Sequence, residues 1–113
     1  MAKGKVYSPS GAALTGFIDP VPGEGTPGLK PEYASMRFVN HVEGGVAAWV
    51  RKNGIRDAVL YLNMGPCRYP DGCRRQIESA LPPGWRLTVY AVDAKGGYER
   101  VKFTGTGRGI RGY

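Results

Sequence analysis

Hydrophobic residues repeat with helical spacing in one part of the chain and form strand-like runs in others. Apolar residues at positions 42, 46, 49 and 50 share one helical face and predict a helix over residues 42–53, which Asn53-Gly54 would end. A second helix is predicted over residues 72–81, before the run Pro82-Pro83-Gly84. Strands are predicted over residues 5–7, 12–18, 58–62, 86–92 and 98–103.

The order of these elements predicts an α/β fold. Helix and strand alternate between residues 42 and 92, which favours parallel neighbouring strands with right-handed crossovers. Residues 93–97 are too few for a parallel crossover, so the last two strands should be antiparallel. The apolar run 58–62 is typical of a strand covered on both faces, and Trp49 and Tyr61 are expected in the core. We therefore expect a three-layer α/β/α fold with a mixed sheet of about five strands.

Two segments are predicted to lack regular structure. Residues 19–34 are rich in proline and glycine, and so long a loop could form one wall of a substrate pocket. Residues 105–113 contain the pattern G-x-G-x-x-G, but no helix follows to receive a pyrophosphate, so a dinucleotide site is rejected. This segment is interpreted as a flexible basic tail, which could contact phosphates or be simply disordered.

Composition and charge narrow the function classes. The 113 residues are enough for one domain, residues 1–113, and we expect a monomer. The net charge of +7 favours a polyanionic partner, although many small domains are basic without binding one. No apolar run approaches the ~18 residues of a membrane span, and the first residues lack the apolar segment of a signal peptide, so no membrane association is expected.

The chemistry-bearing residues are one histidine, two cysteines and a glutamate: His41, Cys67, Cys73 and Glu43. Two cysteines by themselves could equally form a disulfide or stay free. Zinc, however, binds histidine nitrogen and cysteine thiolate readily, and a catalytic zinc site leaves its fourth position to water. A glutamate that is not a ligand can move protons between that water and a substrate. A closed structural zinc site would need a carboxylate as fourth ligand, which is less common.

Two stretches resemble a known family. His41-Val42-Glu43-Gly44, and the stretch from Asn63 through Pro66-Cys67 to Cys73, are similar to the bacterial DddA-like DNA cytidine deaminase toxins, members of the zinc-dependent cytidine deaminase superfamily. The resemblance implies a cytidine-deaminase-like fold, zinc bound by His41, Cys67 and Cys73, and Glu43 as proton shuttle. It also implies a hydrolase that converts cytosine to uracil in DNA.

The same resemblance implies a biological setting. The domain would be secreted as the toxic part of a larger protein, act in the cytoplasm of a target cell and have a cognate immunity protein. One departure is the spacing of the cysteines, which is C-x₅-C instead of the usual C-x-x-C. Pro70 and Gly72 should prevent a regular helix between them, so we expect Cys67 to bind zinc from a loop and Asp71 to cap a helix that carries Cys73.

Substrate contacts are expected from side chains that flank the proposed site. Aromatic rings can stack on bases, and polar groups can hold sugar, base or phosphate. The candidates are Tyr33, Phe38 and Tyr69 for stacking, Arg68 and Asn63 for polar contacts, and Pro66 beside the first cysteine. Arg74 and Arg75 could contact phosphate or only form a solvated surface.

The choice of substrate is left open by these residues. A duplex enzyme must expel the target base, at a cost of about a few kcal/mol, and no wedge element is evident in so short a chain. Single-stranded DNA is therefore favoured slightly over duplex DNA. One alternative is an enzyme that deaminates RNA or a free nucleoside, and the basic charge disfavours the free nucleoside. The other is a catalytically silent, zinc-stabilised domain that binds nucleic acid.

Overall fold

The structure is a computed structural model. It describes residues 4–16, 18, 23, 25–35, 42–62, 71–92 and 97–112, with the backbone alone at residues 71–74 and 92. Four strands and three helices lie in these ranges: β1 (Gly4–Tyr7), α1 (Pro31–Ala34), α2 (Val42–Asn53), β2 (Asp57–Leu62), α3 (Asp71–Ser79), β3 (Arg86–Val92) and β4 (Tyr98–Thr104). In the described part of the chain, no helix is long and apolar enough to cross a membrane.

The strands form one mixed sheet in the order β1-β2-β3-β4. β2 and β3 are parallel, whereas β1 pairs with β2 and β4 pairs with β3 in antiparallel fashion. The parallel pair is joined through α3, and the antiparallel pair β3–β4 is joined through residues 93–97. The predicted α/β class, the mixed sheet and the antiparallel last pair are confirmed.

The strand predicted over residues 12–18 does not form as a regular strand. Its described residues form two isolated β-bridges with β1, Tyr7 with Ala13 and Gly4 with Ile18, instead of a continuous ladder. The register shifts by two residues between these bridges, and the N–H of Val6 donates to the Thr15 hydroxyl oxygen at 3.1 Å instead of to a backbone carbonyl. Because this bulge breaks the ladder, the described sheet has four strands where about five were expected.

The two faces of the sheet differ. Ala58, Leu60 and Leu62 of β2 are buried, and they pack with apolar residues of both α2 and α3 in one core. Val59 and Tyr61 point to the opposite face, where Tyr61 is 41% exposed. Tyr61 was expected in the core, and that prediction is wrong. The described helices cover one face, so this part of the protein shows two layers instead of three. Trp49 packs against the core but is only partly buried.

The segment after β4 is packed into the molecule. Gly105, Gly107 and Gly109 donate backbone hydrogen bonds to the carbonyl oxygens of Trp85, Leu81 and Ser79. Ile110 is 7% exposed and belongs to the core, where it forms a bridge with Leu29. The flexible tail expected from the sequence is therefore wrong for residues 105–112, because buried neighbours satisfy their backbone groups.

Candidate active site

The starts of α2 and α3 lie at the same end of the sheet, beyond the carboxyl end of β2. Residues 54–56 are all that separate α2 from β2, so α2 must run antiparallel to that strand. α3 connects the parallel strands β2 and β3, so it also runs back along the sheet. The two helices contact each other, and because both run back along the sheet they are parallel. Open α/β sheets place their ligands at this end.

Local sequence explains where α2 ends. Gly54 adopts a φ of +69°, a left-handed conformation that favours glycine, and the N–H of Ile55 donates to the carbonyl oxygen of Val50 at 3.0 Å. This closing pattern, predicted from Asn53-Gly54-Ile55, sets the 12-residue length of α2. At ~1.5 Å per residue the helix spans ~18 Å, which is close to the length of β2, so its first turn reaches the carboxyl end of that strand.

Direct packing confirms that placement. Gly4 pairs with Leu62, the last residue of β2. A Cβ atom added at Gly4 would lie 2.9 Å from Cγ1 of Val42 and 3.2 Å from Cδ2 of Leu62. Val42 is buried at this point. Val42 and Leu62 therefore both lie beside Gly4, which places the start of α2 near the end of β2, where the segment 63–70 begins.

Glu43, the predicted proton shuttle, lies in the first turn of α2. Its side chain is half-buried, and it follows the buried residue Val42. A carboxylate in the first turn is favoured by the partial positive charge at a helix N-terminus. Glu43 is thus held at the end of the sheet where ligands are expected, on a side that solvent can still reach.

Cys73 lies in the first turn of α3, which begins at Asp71. The predicted helix begins one residue later, at residue 72. The side chains of Asp71 and Cys73 lie outside the described atoms, so the predicted cap and the predicted thiolate ligand remain predictions. What the backbone shows is that Cys73 and Glu43 occupy the first turns of two neighbouring parallel helices.

Several predicted site residues lie outside the described residues. These are His41, Cys67, Asn63, Pro66, Arg68, Tyr69 and Phe38. In the ranges that the structure describes, no group of three His, Cys, Asp or Glu side chains could hold a metal ion. The predicted zinc site also needs His41 and Cys67, which lie outside the described residues, so the site remains a prediction.

Tyr33 lies beside α3, away from the turn that carries Cys73. A Cβ atom at Gly109 would meet the Tyr33 ring at 2.9 Å and the carbonyl oxygen of Ser79 at 3.1 Å, so the ring packs against Gly109, close to the end of α3. Ser79 follows Cys73 by six residues, which is ~9 Å along a helix. The predicted role of Tyr33 in stacking on a base remains a prediction.

The Tyr33 ring lines a surface cavity of about 250 Å³ together with the exposed residues Arg75 and Arg108. Arg75 had been considered for phosphate contact, whereas Arg108 belongs to the segment that was expected to be a flexible tail. Only the packing of residues 105–112 brings these two cations together beside α3. Glu78 lines the same cavity, so two cations and one carboxylate lie along α3.

Comparison with protein-family models identifies a deaminase family. The family model of SCP1.201-like deaminases matches residues 3–109, which include the starts of α2 and α3 and the four strands that the structure describes. No curated protein sequence matches the chain.

Proposed function

The chain belongs to the family of SCP1.201-like deaminases, and from this premise we propose that it is a zinc-dependent enzyme that converts cytosine to uracil in DNA. Membership of a deaminase family implies a hydrolase acting on a carbon–nitrogen bond. The zinc ion, the cytosine base and the DNA substrate are the proposed refinements. Single-stranded DNA is favoured over duplex DNA, because no wedge element is evident in the sequence to fill the gap left by an expelled base.

The observation that carries this proposal is the placement of Glu43 and Cys73. They occupy the first turns of two parallel helices at the carboxyl end of β2. His41 precedes Val42 directly, and Cys67 lies in the segment that leaves the same end of the sheet after Leu62. The described topology brings Glu43 and Cys73 to one end of the sheet, and the proposal adds His41 and Cys67, which lie outside the described residues, to the same site.

The donor set fits zinc. One imidazole nitrogen and two thiolates are ligands that zinc prefers, and three protein ligands leave one tetrahedral position for water. Helix N-termini also favour thiolate over thiol, which suits Cys73 in the first turn of α3. Zinc bound by His41, Cys67 and Cys73 would lower the pKa of a water molecule and thereby supply the nucleophile.

Glu43 would move the protons of the reaction. Its carboxylate would accept a proton from the attacking water, transfer it to N3 of the cytosine ring and help to protonate the departing amine. Water adds at C4, the C4–N4 bond breaks, and uracil and ammonia result. Because Glu43 is half-buried in the first turn of α2, its backbone is fixed while its carboxyl group can exchange protons.

Charge supports a nucleic-acid substrate over a free nucleoside. The chain carries a net charge of +7, and Arg75 and Arg108 line one cavity beside α3. Phosphate contacts of this kind supply affinity that does not depend on sequence. We also propose that the domain acts as a toxin in the cytoplasm of a target cell, as part of a larger secreted protein with a cognate immunity protein.

The experiment that tests this function is deamination of a cytosine-containing oligonucleotide, offered as single strand and as duplex in parallel, with and without a zinc chelator. We expect uracil, more of it from the single strand, and loss of activity after chelation. Glu43→Gln should lower the rate by about 10²- to 10⁴-fold, the usual contribution of a general acid–base group. Glu32→Gln is the matched control, since Glu32 is exposed on α1 and should not affect the rate.

Absence of uracil from both DNA substrates, with zinc still bound, would contradict the DNA-enzyme proposal. RNA would then be the next substrate to test. If Glu43→Gln leaves nucleic-acid binding unchanged and no substrate is deaminated by the wild-type chain, the domain would be a zinc-stabilised binding module instead.

A further inference from the structure

The sheet face opposite α2 and α3, called the open face here, carries a cluster of four tyrosines. Tyr61 lies at its centre. Its ring stacks on that of Tyr90, with centroids 5.1 Å apart and planes 13° from parallel. Tyr7 and Tyr98 meet the Tyr61 ring edge-on, at centroid distances of 5.3 and 6.4 Å. These four residues are called the tyrosine cluster below.

The tyrosine cluster is not part of the core. Core residues of the same strands point to the helices, whereas Tyr61 is 41% exposed and Tyr98 is 63% exposed. Contiguous exposed aromatic surface is uncommon on proteins that bind nothing there. A tyrosine ring offers a flat apolar surface and a polar hydroxyl group, which suits a ligand that has both apolar and hydrated polar parts.

The open face is also basic. The strand register places four cations on it, beside or between the tyrosines: Lys5, Arg86, Arg100 and Lys102. Among the described strand positions of this face, Asp57 is the one acid, and it lies 3.9 Å from Arg86. The Lys5 ammonium nitrogen lies 5.6 Å from the centre of the Tyr7 ring. The charge of this face is complementary to a polyanion.

The tyrosine cluster lies near the end of the sheet where the proposed active site is expected. Tyr61 is the next-to-last residue of β2, and Tyr98 is the first residue of the antiparallel strand β4. The helix starts with Glu43 and Cys73 lie beyond the same end of β2. A hollow of about 430 Å³ on the open face is lined by Tyr7, Tyr61 and Tyr90.

We propose that the open face binds single-stranded nucleic acid, with bases stacked on the tyrosine cluster and phosphates near the surrounding cations. Base–aromatic stacking combined with a positive surface is the usual means of holding single strands without sequence preference. A duplex would fit poorly, because its bases are already stacked on one another. A strand that presents one base at the helix starts could continue over the end of the sheet onto this face. That continuity, and the choice of DNA as probe, rest on the proposed function.

The probe that tests this surface is a fluorescent thymidine oligonucleotide of about 15 nucleotides, within the range that one such surface covers. It contains no cytosine, so binding is measured without any reaction. We expect Tyr61→Ala and Tyr98→Ala each to weaken binding about tenfold in fluorescence anisotropy, as loss of a stacked base does. Tyr61→Phe keeps the ring and should bind like the wild type. Binding of the thymidine–adenine duplex should be weaker and insensitive to these changes.

The contribution of positive charge on the open face to binding is tested by changing one arginine on this face and one outside it. Arg100→Glu should weaken binding and lower the slope of log affinity against log salt by about 0.7 for each lost phosphate contact. Arg56→Glu makes the same charge change between α2 and β2, outside the open face, and should have a smaller effect. Circular dichroism of every variant establishes that it is folded.

Two outcomes would overturn the proposal. One is that the Tyr61→Ala and Tyr98→Ala variants are folded and bind the thymidine probe with the affinity of the wild type. The open face would then be a candidate surface for a protein partner instead. The other is an equal effect of Arg56→Glu and Arg100→Glu, which would indicate attraction by net charge alone. Both experiments measure binding of a probe without cytosine, so their results do not depend on uracil formation. The proposed binding surface and the proposed deaminase activity can therefore be contradicted independently of each other.

Discussion

The guanidinium group of Arg51 in the last turn of α2 donates a 2.7 Å hydrogen bond to the carbonyl oxygen of Ala80, the residue that follows α3. The same side chain donates to the carbonyl oxygens of Gly25 and Pro27 at 3.2 and 2.6 Å. One cation thereby joins the ends of both long helices to the loop before α1. Burial lowers the pKa of Arg51 from its ordinary value to about 10, so the group remains charged at neutral pH.

Arg51→Ala should lower the free energy of unfolding by about 2–4 kcal/mol. Three carbonyl oxygens lose a charged donor at once, and bonds to charged groups contribute more than neutral ones. Urea unfolding measures the change. Lys52→Ala, one residue further along α2 and exposed, is the control and should stay within about 0.5 kcal/mol of the wild type. Equal stabilities of the two variants would contradict the bridging role of Arg51.

Ile110→Ala should lower the free energy of unfolding by about 2–4 kcal/mol, the usual cost of removing a buried branched side chain. Ile110 is 7% exposed and packs in the core. The exposed neighbour Arg108 supplies the control, and Arg108→Ala should change stability by less than about 0.5 kcal/mol. If residues 105–112 were a flexible tail, Ile110→Ala would leave the unfolding curve unchanged.

Gly4→Ala should disturb the start of α2. The new methyl group would lie 2.7 Å from Cδ1 of Leu60 and 2.9 Å from Cγ1 of Val42, so one of these side chains must move. We expect a loss of about 1–3 kcal/mol in stability, as for other overpacked cores. Since Val42 separates His41 from Glu43, uracil formation should fall as well. Gly16→Ala adds its methyl group in open space and should affect neither.

Cys73→Ser should separate metal binding from proton transfer. Serine is a poor zinc ligand, so the variant should retain far less than the roughly one zinc per chain expected of the wild type, by mass spectrometry of the native protein. Glu43→Gln should keep its zinc while losing activity, because Glu43 is not proposed as a ligand. Full zinc content in Cys73→Ser would remove Cys73 from the ligand set.

Local pattern predicted the elements near the proposed site well. The helix expected over residues 42–53 is α2, with the same bounds, and β3 also matches its predicted range. Both segments have strong periodicity or strand composition and clear end signals, such as Gly54 after α2. Pairing directions followed from connection lengths, since residues 93–97 could only join antiparallel strands. The match to the deaminase family supports the chemistry suggested by His41, Glu43 and the two cysteines at the level of the reaction class.

The features that the sequence did not reveal all depend on distant partners. Tyr61 lies in an apolar run, and its exposure follows from the absence of any described helix on its face of the sheet. The strand expected over residues 12–18 is interrupted because the Thr15 hydroxyl takes the N–H of Val6. Neither feature can be predicted from neighbouring residues in the sequence, since each depends on which groups come into contact after folding.

The sequence by itself determined the α/β class, the position of α2 and the parallel pairing of β2 with β3, and it supplied the residues that are proposed to perform deamination. These depend on short-range periodicity, on connection lengths and on residue chemistry. Tertiary structure alone decided that residues 105–112 pack against the molecule with Ile110 in the core, that Arg51 joins two helix ends, and that four tyrosines meet on one face. Those outcomes arise from contacts between residues far apart in the chain, such as Gly109 with Ser79 or Tyr61 with Tyr98, and burial of such groups is set by the whole fold.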